Sequence, residues 1–287
     1  MSKSQPIIII GAPRSGTNML KDVLSSFPGL TTFPCEEINP IWRHGNVNHP
    51  NDEFTPEMAT EYVKNYIRGR FERLQKQTGA RRVVEKSCAN SLRVDFVKAI
   101  FPDAKFVHIV RDGLDVCASA QKKRVFNPFD VPFHWAKLKH VPLKDLPHFL
   151  FKFAIPRLLE VTKRGGRLSS WGPTTSEVPE RGAENENLLL SAHQWSECVS
   201  KSVMAFDQMD ESCFIRIRYE ELVSDPDKTF RDILTFAGES VPENLEDFVA
   251  AVRKTSIGKG RKQMADEYVE TIRPWITNSM ERLGYQI

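Results

Sequence analysis

Ile7-Ile8-Ile9-Ile10, followed by Gly11-Ala12-Pro13-Arg14-Ser15-Gly16-Thr17-Asn18, is the most informative stretch of the chain. Four consecutive β-branched residues read as a strand buried on both faces, as in the middle of a parallel sheet. Met19, Leu20, Val23, Leu24 and Phe27 then recur at helical spacing, and Pro28-Gly29 ends the run. Strand, glycine-bearing loop and helix open a βαβ unit. A loop aimed at a helix N-terminus can hold an anion on backbone N–H groups. Gly11 and Gly16 have Walker A spacing, but Thr17 stands where that motif has its lysine, and the cation comes earlier, at Arg14. An NTPase needs that lysine on its phosphates and an acid to hold magnesium. Neither is assignable, so the loop suits a shorter phosphate chain bound without a metal.

Working outward, Val83-Val84, Phe106 to Val110 and Phe214 to Ile217 read as further parallel strands. Helical patterns separate or follow them: Leu92, Phe96, Val97 and Ile100, then Ala192, Trp195, Val199, Val203 and Phe206. Asp225-Pro226 suits an N-cap and first turn, and Gly238 a C-terminal stop. Such alternation predicts a three-layer α/β fold around a central parallel sheet. From Gln121 to about Asn187 the rhythm breaks into prolines and aromatics without a clear strand, which we read as a helical cap insert. At 287 residues the chain reads as a single domain, residues 1–287.

Lys and Arg total 40 against 37 acids, a balance that excludes a uniformly basic nucleic-acid binder. Cys35, Cys88, Cys117, Cys198 and Cys213 form no CxxC pair and read as reduced core thiols. No His/Cys/Asp spacing suggests a metal site. The apolar run before Gly11 is too short for a signal-peptide core, and no long apolar stretch follows. A soluble, cytoplasmic protein is expected.

Pro13-Arg14-Ser15-Gly16-Thr17 resembles the 5′-phosphosulfate loop of sulfotransferases that use 3′-phosphoadenosine 5′-phosphosulfate (PAPS). Phe106 to Ser119 resembles that family's 3′-phosphate element, a strand ending in Arg111 and a helix bearing Ser119 eight residues later. An arginine fork and a hydroxyl suit a phosphate chemically. Arg218-Tyr219-Glu220-Glu221-Leu222 is similar to the segment whose tyrosine lies near the adenine. Ser256-Ile257-Gly258-Lys259-Gly260-Arg261-Lys262 resembles the C-terminal loop that closes over the cofactor. The resemblance covers about residues 6–120 and 190–285. It implies a P-loop-like fold and nucleotide contacts from Arg14, Ser15, Gly16, Thr17, Asn18, Arg111, Ser119, Tyr219, Ser256, Lys259, Gly260 and Arg261.

The cytosolic small-molecule branch carries a histidine after its second major strand, where this chain has Val83-Val84-Glu85-Lys86-Ser87-Cys88-Ala89-Asn90. The chain looks more like the bacterial, glycan and tyrosyl-protein branches, where a glutamate follows the second short strand. Here that position is Pro34-Cys35-Glu36-Glu37. Adjacent side chains point apart, so one of the two faces the sulfuryl group; Glu37 is favoured and Glu36 is the alternative. The resemblance also implies that Lys86 joins Arg14 on the sulfuryl oxygens, with Glu85 its partner or a support for Arg14. His108, mid-strand, reads as a buried structural histidine. His134, His140, His148 and His193 are left as candidates for acceptor contact.

The implied activity is sulfuryl transfer from PAPS to a hydroxyl or amine, releasing 3′,5′-bisphosphate product (PAP), with no metal. A P-loop phosphotransferase or kinase and a non-catalytic membrane-surface or interaction protein are the alternatives. From Gln121 to Arg167 the chain carries eleven basic and three acidic residues. This basic cap is expected to meet an anionic acceptor, such as a glycan or lipid-linked sugar, or to touch a membrane peripherally. Nucleic acid is not expected as a partner, and the sequence leaves the oligomeric state open.

Overall fold

Every strand expected from the apolar runs is present. The computed structural model describes residues 5–126, 141–151, 155, 172–177, 185–252 and 257–287. β1 (Ile7–Ile10) lies between β3 (Arg82–Lys86) and β4 (Lys105–Val110), while β2 (Leu30–Thr31) and β5 (Phe214–Arg218) form the edges. The order is β2-β3-β1-β4-β5 and every pairing is parallel. The principal helices are α1 (Thr17–Ser26), α2 (Asn39–Trp42), α3 (Glu61–Thr78), α4 (Val94–Ile100), α5 (Gly113–Phe126), α6 (Glu186–Asp207), α7 (Tyr219–Ser224), α8 (Pro226–Ala237), α9 (Lys259–Gln263) and α10 (Asp266–Arg282).

The alternation of a strand sorts its side chains into two cores. Ile8, Ile10, Val83 and Phe106 pack with Val63, Ile67 and Phe71 of α3 and with α4. Ile7, Ile9, Val84 and Val107 pack with Leu20 and Leu24 of α1 and Ile233 of α8 on the opposite face. Burying each isoleucine contributes about 1.5–3 kcal/mol, so β1 is a firm base for the loop that follows it. A third cluster joins α5, α6 and α10. Asp225 caps α8 by accepting from the Lys228 N–H at 3.1 Å, and Gly238 ends it at φ 71°.

Sequence reading missed α3, although Val63, Ile67, Phe71 and Leu74 are its buried stripe and Thr60 caps its start. The expected insert also begins later than Gln121, because α5 continues to Phe126. Within it, Asp145 stands beside the short helix Leu146–Phe149 and meets His44 Nδ1 at 2.6 Å. Thr174 exchanges hydrogen bonds with Asp52. His134, His140 and most of the basic residues of the cap reading lie outside the described residues. Among the described residues no helix is long and apolar enough to cross a membrane. All five cysteines are free thiols, as expected.

Parallel strands share one carboxyl end, and open α/β sheets place ligands there. The Gly11–Gly16 loop, Glu36-Glu37, Arg111 and Tyr219 all emerge at that end, after β1, β2, β4 and β5 respectively, and Lys86 is the last residue of β3.

Candidate active site

The loop after β1 is held open by its backbone. Arg14 (φ 69°) and Gly16 (φ 88°) are left-handed, giving the concave turns that anion-binding loops use. Gly16 is the N-cap of α1 and supplies no side-chain hydrogen bond, so the first N–H groups of the helix face outward uncapped. Ser15 is 1% exposed and its buried hydroxyl has no hydrogen-bond partner. A buried orphan hydroxyl beside free helical N–H groups fits a phosphate or sulfate oxygen.

Gly16 also lacks room for a side chain, since a Cβ there would stand 2.5 Å from Cδ2 of Tyr219. Forcing an L-residue to left-handed φ costs roughly 1–2 kcal/mol before that clash is counted. Gly16→Ala is therefore expected to lower the melting temperature by about 3–6 °C and to weaken PAP binding more than about tenfold. Thermal melts and calorimetry check this; wild-type values in both would contradict the packing described.

Three arms converge on the loop. Arg14 Nε donates to Ser119 Oγ at 3.0 Å, and Arg111 Nη1 donates to the Arg14 carbonyl at 2.9 Å. The Arg111 guanidinium lies 4.1 Å from the centre of the Tyr219 ring, a cation–π contact. Partial burial, and then the like charge of Arg111, hold the Arg14 pKa below its ordinary value. Two guanidiniums gathered at one loop form a site that an anion stabilises. Asn18, the second residue of α1, is half-buried, whereas Thr17 turns its hydroxyl toward the Cys88 sulfur at 3.8 Å.

The C-terminal segment closes on the start of α5. Asp115 accepts from the Gly258 and Gly260 N–H groups at 2.8 and 2.6 Å. A Cβ on Gly260 would stand 2.5 Å from the Leu114 carbonyl, so only glycine allows this approach. Lys259 is exposed. Arg261, expected to reach a phosphate, bonds through Nε to Asp112 at 2.7 Å and through Nη2 to the Gln286 carbonyl. It serves here as a strut between α9, α5 and the C-terminus. Ser256 lies outside the described residues.

On the other side of the loop, Lys86 Nζ meets Glu37 Oε1 at 3.1 Å, and the Cys88 N–H reaches the same oxygen at 3.4 Å. Lys86 is 4% exposed. Burial alone lowers its pKa, but the charge of Glu37 above all outweighs this and the net shift is upward. The lysine stays protonated at neutral pH. Glu36 is exposed and, with Lys21, Thr32 and Lys86, lines a cleft.

A model of the sulfotransferase family matches residues 6–141 and 178–243, more than half of the chain. The chain belongs to the sulfotransferase family. Its fold is similar to the solved sulfotransferase domain from the curacin biosynthetic pathway, 14% identical, covering 99% of each chain with a TM-score of 0.57. It is also similar to mouse sulfotransferase SULT7A1 complexed with PAP, 15% identical over 96% of this chain and 85% of that one, TM-score 0.50. An uncharacterized protein of Aquifex aeolicus (strain VF5) is 28% identical over 125 residues, 40% of this chain. The match spans only 16% of that relative's own length.

In this family member the P-loop-like, central-sheet architecture is as expected, but one pairing is not. Glu85 is neither the hydrogen-bond partner of Lys86 nor a support for Arg14. Successive strand residues face opposite sides, so Glu85 enters the α3 side and bonds Trp42, Ser87 and Asn90. His108 is the buried structural histidine anticipated, between Arg216 Nε and Ser202 Oγ, with burial and then Arg216 pushing its pKa down to about 3. His193 hydrogen-bonds the Glu177 carbonyl. Sequence reasoning missed Ser91, whose Oγ accepts from the Gly11 N–H at 3.1 Å and braces the start of the loop. Its signal was the Ser/Asn-rich run directly after a strand-end lysine.

Proposed function

We propose that this sulfotransferase moves a sulfuryl group from PAPS to a hydroxyl or amine of an acceptor and releases PAP. One observation carries the reading: Arg14, Ser15, Ser119 and Arg111 surround the uncapped N-terminus of α1, and the Lys86–Glu37 pair stands beside it. The PAP bound to the mouse relative supports the choice of nucleotide.

In this reading the N–H groups of α1, Ser15 and Arg14 hold the 5′-phosphosulfate, with Thr17 and Asn18 completing the first turn. Arg111 and Ser119 take the 3′-phosphate, and Tyr219 walls the nucleotide between Gly16 and Arg111. Ser256, Lys259, Gly260 and Arg261 belong to the closing segment. The sulfur–oxygen bond to the phosphosulfate breaks as a bond from sulfur to the acceptor oxygen or nitrogen forms, and the acceptor proton passes to the Glu37 carboxylate. Lys86 and Arg14 neutralise charge on the sulfuryl oxygens. With Thr17 in the Walker lysine position, these cations replace a metal. We read residues 1–287 as one such domain, and the basic insert as facing an anionic acceptor, a glycan or lipid-linked sugar, or a membrane surface.

PAP in EDTA is expected to raise the melting temperature by about 5 °C or more at saturation, whereas ATP with magnesium leaves it nearly unchanged. The reverse pattern in a thermal-shift assay would favour a phosphotransferase and overturn the proposal.

A further inference from the structure

Beneath the Lys86–Glu37 pair lies a buried carboxylate that the proposed chemistry does not use. Glu85 is 2% exposed, and three donors converge on it: Ser87 Oγ at 2.6 Å and Trp42 Nε1 at 3.1 Å on Oε1, and Asn90 Nδ2 at 3.0 Å on Oε2. Ser87 Oγ, while donating to Glu85, accepts from the Ile38 N–H at 3.3 Å. Ile38 follows Glu37 directly, and Trp42 ends α2. Both ends of the segment behind Glu37 therefore hang on one carboxylate.

We propose that Glu85 is a positioning residue for Glu37, holding through Ser87 and Trp42 the segment that presents Glu37 to Lys86 and to the acceptor. The inference rests on the reading of Glu37 as the base. Trp42 Nε1 and Asn90 Nδ2 only donate and the Ser87 hydroxyl is oriented to donate, so an ionised Glu85 satisfies all three at once. Glutamine in its place sets an N–H₂ against Asn90 Nδ2. Asn90 cannot flip to meet it without giving up its Oδ1, which accepts from Arg93 Nε at 2.9 Å.

The charged groups around Glu85 are Lys86 and Arg93, and both favour its anion. Burial outweighs them and the Ser87 and Trp42 hydrogen bonds, and pushes its pKa up to about 7. Because this pKa is raised in the fold, ionised Glu85 costs stability above its unfolded range, a cost fully present once pH passes about 7. Below that, a protonated Glu85 keeps its Ser87 contact only by reversing it, O–H to Ser87 Oγ, which takes from the Ser87 hydroxyl proton the acceptor it has in the ionised state, and the Glu37 segment loosens. The acid limb of turnover then belongs to Glu85.

The test compares the full-length wild type, Glu85→Gln and Ser87→Ala. It measures kcat and KM from about pH 5 to about pH 9 with an acceptor found by labelled-PAPS screening. PAP calorimetry and the Trp42 indole N–H resonance, assigned with Trp42→Phe, complete it. Glu85→Gln is expected to lose about 10–100-fold in kcat with PAP affinity retained, and to lose the limb near pH 7. Ser87→Ala is expected to lose about tenfold in kcat and to keep the limb. The wild-type indole resonance titrates near pH 7 and that of Glu85→Gln does not. Should Glu85→Gln fail to fold, Ser87→Ala and the wild-type titration decide. If Glu37→Gln is inactive while both variants keep wild-type kcat, or if the indole does not titrate, this inference falls alone; if Glu37→Gln keeps its rate, the base assignment falls first.

Discussion

Glu37→Gln is expected to lower kcat by about 10²–10⁴-fold, the range a positioned general base supplies. The amide keeps the shape of the side chain but cannot take the acceptor proton. PAP affinity should stay within about twofold, because the groups proposed to hold the nucleotide come from the ends of β1, β4 and β5, whereas Glu37 follows β2. Glu36→Gln serves as the control. Glu36 is exposed and hydrogen-bonds neither Lys86 nor the Cys88 N–H, which Glu37 holds, so its rate should remain near wild type. Steady-state kinetics on both variants decide between them, and the opposite ranking makes Glu36 the base.

Lys86→Ala is the second large effect, an expected loss of about 10²–10³ in kcat, or roughly 2.7–4 kcal/mol of transition-state stabilisation. A buried cation acts in a low local dielectric, where its field on developing charge is far stronger than in water. The variant also leaves Glu37 without the ammonium that holds it at 3.1 Å, so the base loses its fixed direction. Lys86→Met keeps most of the volume and separates lost charge from lost packing. Both variants should bind PAP and turn over slowly, and a wild-type rate in either would remove Lys86 from the chemistry.

How far the sequence reaches depends on whether a feature is local. The Ile7–Ile10 run, the helix that Asp225 begins and Gly238 ends, and the arginine at the end of β4 are local patterns. The structure places each where the pattern puts it. The approach of Arg14 to Ser119 was not anticipated, since the resemblance implied only that both contact the nucleotide, through different phosphates. Periodicity alone says nothing about residues 105 positions apart. The α3 stripe was legible in Val63, Ile67, Phe71 and Leu74 but was passed over in a stretch rich in charge. What pattern could not supply is the partner of each buried polar group. Strand alternation separates Glu85 from Lys86, but the Trp42 and Asn90 contacts arise from folding the chain back on itself. Arg261 shows the same limit, because its bonds to Asp112 and to the Gln286 carbonyl join residues that no local pattern brings together.

The central claim is tested most directly by incubating the purified protein with PAPS labelled in its sulfuryl sulfur and a panel of acceptors. Anionic glycans, lipid-linked sugars, tyrosyl peptides and small alcohols and amines would be included, with EDTA throughout. The account predicts that label appears in at least one acceptor class in step with PAP release, and that Glu37→Gln abolishes both. Label that stays in PAPS across the whole panel, or transfer that persists in Glu37→Gln, would contradict it.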